Sequence, residues 1–154
     1  MICLREALLT LNLFLAWRIL FPDRQASVIE RLCDVVSPDP NVVKQWLTAK
    51  LNFAPPVIRL SNPEFQMRGG RIDVIKNRQV ATLVYEGSKD MITLDMITLF
   101  LWPSAGQPLG AGDWSVSGYH ACTWNAAGFN FVAVSSLSDR EIDKFRDRIR
   151  EQLK

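Results

Sequence analysis

The 154-residue sequence contains a single histidine, and that scarcity bounds its chemistry. Any Ser-His-Asp or Cys-His constellation would have to use His120. Cysteine is also rare. Cys3, Cys33 and Cys122 are odd in number and widely spaced, so they form no disulfide framework. One bridge remains open if the chain lies outside the cytoplasm, beside the plainer reading of buried or idle thiols. Charge of one sign is lacking too: 18 basic and 16 acidic residues leave a net charge of +2. No strong field is available to gather nucleic acid, and nucleic-acid binding is not expected. A phosphate-binding loop is missing, because Gly69-Gly70-Arg71 lacks the longer glycine pattern and precedes a strand pattern rather than a helix. Within the apolar N-terminal part the longest uncharged run, residues 7–17, has 11 residues. A membrane-spanning helix needs roughly 20 mostly apolar residues.

What is present is ordinary globular material, 48% apolar and 22% charged, enough to bury the core of one domain. Residues 1–22 form an apolar segment that precedes a single domain at 23–154. Leu8, Leu9, Leu11, Leu13, Phe14, Leu15, Trp17 and Ile19 surround the helix axis on all sides. Three readings stay open for this segment: a marginal membrane anchor through Leu8, Leu11, Leu15 and Trp17, the apolar part of an export signal, or a core helix. Asn12 and Arg18 favour the core helix, and Pro22 ends the segment.

Beyond it, residues 25–36 read as a helix with Val28, Ile29, Leu32, Val35 and Val36 as its stripe. Ser37-Pro38-Asp39-Pro40 stops that helix, and Asn41 caps a second one at 42–50, with Val43, Trp46 and Leu47 on one side. Strands are expected at 71–75, 79–86, 91–102, 118–124 and 129–134, with tight loops at 76–78 and 125–128. The glycine-rich stretch 104–117 reads as a mobile surface loop in which Trp114 is either a lid on the core or a contact residue. Ser138 and Glu141 make a capping box, Leu137 and Ile142 its staple, and Ile142, Phe145, Ile149 and Leu153 an apolar stripe for a C-terminal helix on the sheet. The expected fold is therefore α+β: an antiparallel meander of about five strands, with N-terminal helices and a C-terminal helix packed on the sheet.

One repeat stands out. Met91-Ile92-Thr93-Leu94-Asp95 is followed directly by Met96-Ile97-Thr98-Leu99-Phe100. Five is odd and strand side chains alternate in twos, so equivalent residues face opposite ways unless a bulge intervenes. A bulge or early break is expected near Asp95, or else an edge extension in solvent.

Few groups invite catalysis. His120, Cys122 and Trp124 share a strand face, but two ligands are too few for a structural zinc site. The plain reading is a partly buried imidazole beside an apolar thiol. No catalytic residue, cofactor or metal is expected, and the aromatic residues read as core. Two functions remain. One is a non-catalytic regulatory domain that works by protein contact, with Asp95 and Trp114 as candidate contacts. The other is a small-ligand domain with an aromatic-lined sheet.

A set of motifs in fixed order narrows this. Val43-Lys44-Gln45-Trp46 precedes Leu51-Asn52-Phe53-Ala54-Pro55-Pro56-Val57 and Gly69-Gly70-Arg71-Ile72-Asp73. Val80-Ala81-Thr82-Leu83-Val84-Tyr85, Leu99-Phe100-Leu101-Trp102-Pro103, Gly118-Tyr119, Trp124 and Phe131-Val132-Ala133-Val134-Ser135-Ser136-Leu137 complete the series. This order resembles the extracytoplasmic domain of bacterial transmembrane anti-sigma factors over about residues 27–145. The resemblance implies a sensor-like domain in transcriptional signalling, placed outside the inner membrane, with residues 7–21 where that family has its membrane helix and an envelope or membrane protein as partner. The family's cytoplasmic sigma-binding segment and its His-Cys-Cys zinc box are missing here, so direct capture of a sigma factor by this chain is not expected. Asp90 and Ser136 also stand where the family tends to have histidine and aspartate.

Overall fold

The structure is a computed structural model that describes residues 32–61, 64–88 and 94–154. Among these residues the fold is α+β, one antiparallel sheet of seven strands with two helices. In chain order they are β1 (Val35–Val36), α1 (Pro40–Lys50), β2 (Phe65–Ile75), β3 (Arg78–Ser88), β4 (Leu94–Pro103), β5 (Gly112–Val116), β6 (Tyr119–Ala126), β7 (Phe129–Ser135) and α2 (Asp139–Gln152). The spatial order is β1-β2-β3-β4-β7-β6-β5. It is not the simple meander expected. After β4 the chain crosses to the far edge and returns by hairpins, so that β7 pairs with β4.

Three hairpins share one turn chemistry. Lys76-Asn77, Ser117-Gly118 and Ala127-Gly128 are two-residue connections, and all six residues have positive φ between 50° and 81°. That is the primed turn whose twist matches that of paired strands. Glycine at 118 and 128 takes the left-handed second position without Cβ strain.

Alternation sorts the strand side chains onto two faces. Ala81, Leu83 and Tyr85 of β3, Ile97, Leu99 and Leu101 of β4, Cys122 and Trp124 of β6, and Phe131 and Ala133 of β7 join Val43 and Leu47 of α1 and Ile142, Phe145 and Ile149 of α2 in the main core. Phe145 meets Phe65 and Tyr85 edge-on, with ring centroids 5.3 and 5.1 Å away, and Trp124 stacks flat on Phe131 at 5.1 Å. Each fully buried α2 side chain contributes about 1.5–3 kcal/mol of transfer free energy. The Ser138–Glu141 capping box is present, with the Ser138 N–H donating to Glu141 Oε2 at 3.2 Å. Leu137 and Ile142 are both buried beside it.

Several expectations change. Val35 and Val36 end no helix; Leu32 is the last helical residue before them, and the two valines pair with Gly70 and Gly69. Two β-branched residues beside a glycine pair favour a strand over a last helical turn. Helix α1 falls between β1 and β2, and Asp39 rather than Asn41 is its cap, its Oδ1 accepting the Asn41 N–H at 2.9 Å. Pro40 fills the first helical position, where a missing N–H costs nothing.

No bulge occurs at Asp95. Strand β4 pairs with β3 in unbroken register from Leu94 to Leu101. The register shift lies in β2, between Met67 and Gly69. The expected strand at 91–102 begins within the described residues at Leu94. The Leu8, Leu11, Leu15 and Trp17 anchor falls outside them. Among the described residues no helix is long and apolar enough to cross a membrane.

Candidate functional site

The stretch expected to be a mobile loop is half strand. Residues 112–116 alternate Asp113, Trp114, Ser115 and Val116 before the Ser117-Gly118 turn, which is the hairpin signal that the glycine count concealed. The preceding strap, residues 104–111, is pinned from below by Asn130, which is buried. Asn130 Oδ1 accepts the Leu109 N–H at 2.8 Å, and its Nδ2 donates to the Gln107 carbonyl at 3.1 Å. Thr123 Oγ1 donates to the Gly110 carbonyl at 2.8 Å. These three bonds carry the crossing over the ends of β7 and β6.

Strand β5 lies at the end of the sheet, and no strand pairs with its outer side among the described residues. A two-residue turn makes Val116 and Tyr119 a hydrogen-bonded pair, and Trp114–Ala121 and Gly112–Thr123 follow in the same phase. Asp113 and Ser115 therefore aim their backbone N–H and C=O groups away from the sheet. Both side chains are exposed. Trp114 turns to the opposite face, half-buried against the cluster of Phe100, Ala121, Val132 and Val134, and its ring covers Gly112 so closely that a Cβ there would lie 2.3 Å from it. Trp114 thus acts as a lid that holds the edge strand down.

A polar rim borders this edge. His120 faces Ser115 across the hairpin, its Nδ1 2.9 Å from Ser115 Oγ and 2.5 Å from Asp139 Oδ1 at the start of α2. Asp95 lies farther along the same end of the sheet, on an inner strand, where its Oδ1 accepts the Ser136 hydroxyl at 3.2 Å. The Ser135 hydroxyl donates to the Met96 carbonyl at 2.9 Å and closes the step where β4 outruns β7. Asp95 and Trp114 are not brought together: two strands separate theirs, and they point to opposite faces.

The shared face of His120, Cys122 and Trp124 is as expected, with a sharp change in environment along it. Cys122 is fully buried, and burial pushes its thiol up to about 12, Arg146 opposing the shift. A thiol so held is no nucleophile at neutral pH. Burial likewise drives the Tyr85 phenol upward, and its hydroxyl donates to the Ile58 carbonyl at 2.7 Å. Among the described residues no group of three or more His, Cys, Asp or Glu could hold a metal ion. Sequence reasoning missed Asp113, Ser115 and Asp139. The first two were hidden in a segment read as loop, and Asp139 falls between the capping residues Ser138 and Glu141 that the sequence singled out.

Comparison with protein-family models, curated proteins and solved structures returned no match to this chain.

Proposed function

We propose that this chain is a non-catalytic regulatory domain that acts by protein contact, and that the outer edge of β5 (Gly112–Val116) is the strip where its partner docks. The observation that carries the reading is an accessible row of backbone donors and acceptors at Asp113 and Ser115, on a strand held by the β6 ladder along its inner side and by the seated Trp114 ring. Unpaired edge backbone binds an added strand, with main-chain bonds giving affinity and alternate side chains giving selectivity. The opposite edge is less open, because β1 covers β2 at Gly69 and Gly70. The residues best suited to chemistry support the same reading, since Cys122 is sealed in the core and His120 is engaged with Ser115 and Asp139. The resemblance to anti-sigma-factor outer domains supplies the setting, a sensor-like domain in envelope signalling whose partner is an envelope or membrane protein.

The test uses an edge that is blocked without being dismantled. Asp113→Pro removes one outward N–H and leaves the β5–β6 ladder its donors. Full-length chain isolated from its native cells is expected to carry a stoichiometric protein partner, and the Asp113→Pro chain, folded by circular dichroism, is expected to lose at least nine-tenths of it. Undiminished partner on the proline variant, or no partner on the parent chain, overturns the proposal.

A further inference from the structure

Strand β5 carries a different surface on each side of its open backbone. Asp113 pairs with Cys122 and Ser115 with His120, so both side chains stand on the face that carries α2. Gly112, Trp114 and Val116 stand on the other face. Paired strands share side-chain faces. A strand added along β5 would therefore lay the residues opposite Asp113 and Ser115 beside α2, and the residue between them beside Trp114.

The surface beside α2 is acidic. Arg146 of α2 reaches Asp113 at 3.6 Å, Asp143 at 3.0 Å and Asp147 at 3.3 Å. One guanidinium among three carboxylates leaves a negative excess. The three acids are 63%, 43% and 60% exposed and Arg146 only 21%, so what meets solvent is mainly carboxylate. The same four groups are the charges that act on the buried Cys122 thiol, which gathers them over the β5–β6 hairpin. Asp139 extends the acidic margin to Ser115 through His120. Arg150, the next cation on this flank, stands one helical turn beyond Arg146, away from Asp139. The surface beside Trp114 is apolar. Trp114, Val116 and Leu109 of the strap are half-buried, and Trp114, Leu109 and Tyr119 border the cluster around Phe100.

We propose that the strand docking on β5 alternates basic with apolar residues: lysine or arginine opposite Asp113 and Ser115, and a β-branched residue opposite Trp114. The inference rests on the β5 edge being the docking strip and supplies the chemistry of the partner. Opposite charges set across a strand pair attract and like charges repel, and a β-branched side chain pairs well with an aromatic one. The carboxylates thus select the partner by sign, while main-chain bonds hold it. The same charges disfavour a second copy of this chain. Two β5 strands joined antiparallel about a two-fold axis would carry both α2 helices on one face, which sets the two acidic flanks side by side.

The experiment titrates the full-length chain against two fluorescein-labelled peptides as long as β5, read by fluorescence anisotropy at low salt. One peptide alternates lysine with valine and the other glutamate with valine. The lysine peptide is expected to bind at least about tenfold more tightly, and the gap is expected to narrow as salt is raised. Asp113→Lys is expected to reverse the order. Asp147→Lys, on the helix, repeats that test without touching the strand and is expected to shrink the gap. A lysine peptide N-methylated on alternate residues, which cannot pair as a strand, is expected to lose its binding. Equal or tighter binding of the glutamate peptide overturns the inference; if N-methylation abolishes that binding, the edge reading stands without it. A preference that survives both lysine variants, or undiminished binding of the N-methylated peptide, overturns the inference as well. So does a parent chain that elutes as a dimer which Asp113→Pro dissolves, because a second copy then occupies the edge. Binding of neither peptide also overturns it, and the co-purified partner continues to judge the edge itself.

Discussion

Cys122 and His120 stand two residues apart on one face of β6, and burial separates their roles. The thiol lies among Trp124, Phe131 and the α2 side chains, whereas the imidazole reaches the rim and Asp139. The buried thiol has a measurable consequence. Folding raises it from the ordinary 9.0 to about 12, so the native state holds a proton that the unfolded chain releases. The associated stability is fully present below about pH 9 and is lost as pH climbs toward 12, at up to about 1.4 kcal/mol per pH unit. Thermal melts at pH 7 and pH 10 are expected to show a larger loss of stability for the parent than for Cys122→Ala, each compared with itself at pH 7. Equal losses would place the alkaline sensitivity elsewhere. Tyr85 shifts in the same direction for the same cause and leaves a residual loss in the variant.

At the scale of elements, Gly69 and β1 (Val35–Val36) illustrate what local pattern conceals. A Cβ at Gly69 would lie 2.1 Å from the Val35 carbonyl oxygen. Neither atom could yield without breaking the Val36–Gly69 pairing and the bond from Ser37 N–H to the Arg68 carbonyl at 3.0 Å. Gly69→Ala is expected to displace β1 and to cost about 1–3 kcal/mol in urea unfolding. Accelerated hydrogen exchange at the Asp34 and Ser37 amides would accompany it; unchanged exchange there would show that β1 does not depend on the glycine.

Elements whose signals were local were legible in the sequence. The α2 helix was marked by its capping box, staple and stripe, and the hairpins at Lys76-Asn77 and Ala127-Gly128 by turn residues between apolar runs. Strand β1 was not legible, because its two valines continue a helical spacing and are claimed by the distant partners Gly70 and Gly69. Strand β5 was not, because five residues behind a glycine-rich strap offer too little periodicity, and the side chain that fixes the strap, Asn130, lies in another strand. Asp95 illustrates the reverse error. The repeat made a bulge attractive, yet a polar residue at the rim needs only the Ser136 hydroxyl to be tolerated on the core face. For the site, the face shared by His120 and Cys122 was readable from alternation, but the edge that exposes Asp113 and Ser115 was a property of topology alone.

For the molecule as a whole, the sheet order β1-β2-β3-β4-β7-β6-β5 decides what remains available to a partner. One face is filled by α1 and α2, with aromatic rings packed on one another. The other face carries Val80, Val84, Phe100, Val132 and Val134, all buried. One sheet border is shielded in part by β1, which leaves the outer side of β5 as the row of main-chain groups on offer. The account stands or falls on that row, and amide hydrogen exchange of the full-length chain, free and in complex with its co-purified partner, reads it directly. In the free chain the Asp113 and Ser115 amides are expected to exchange rapidly while those of Trp114 and Val116 are slowed by the β6 ladder. On binding, Asp113 and Ser115 are expected to become protected. A complex in which these two amides exchange as fast as in the free chain would contradict the claim that the protein works through its β5 edge.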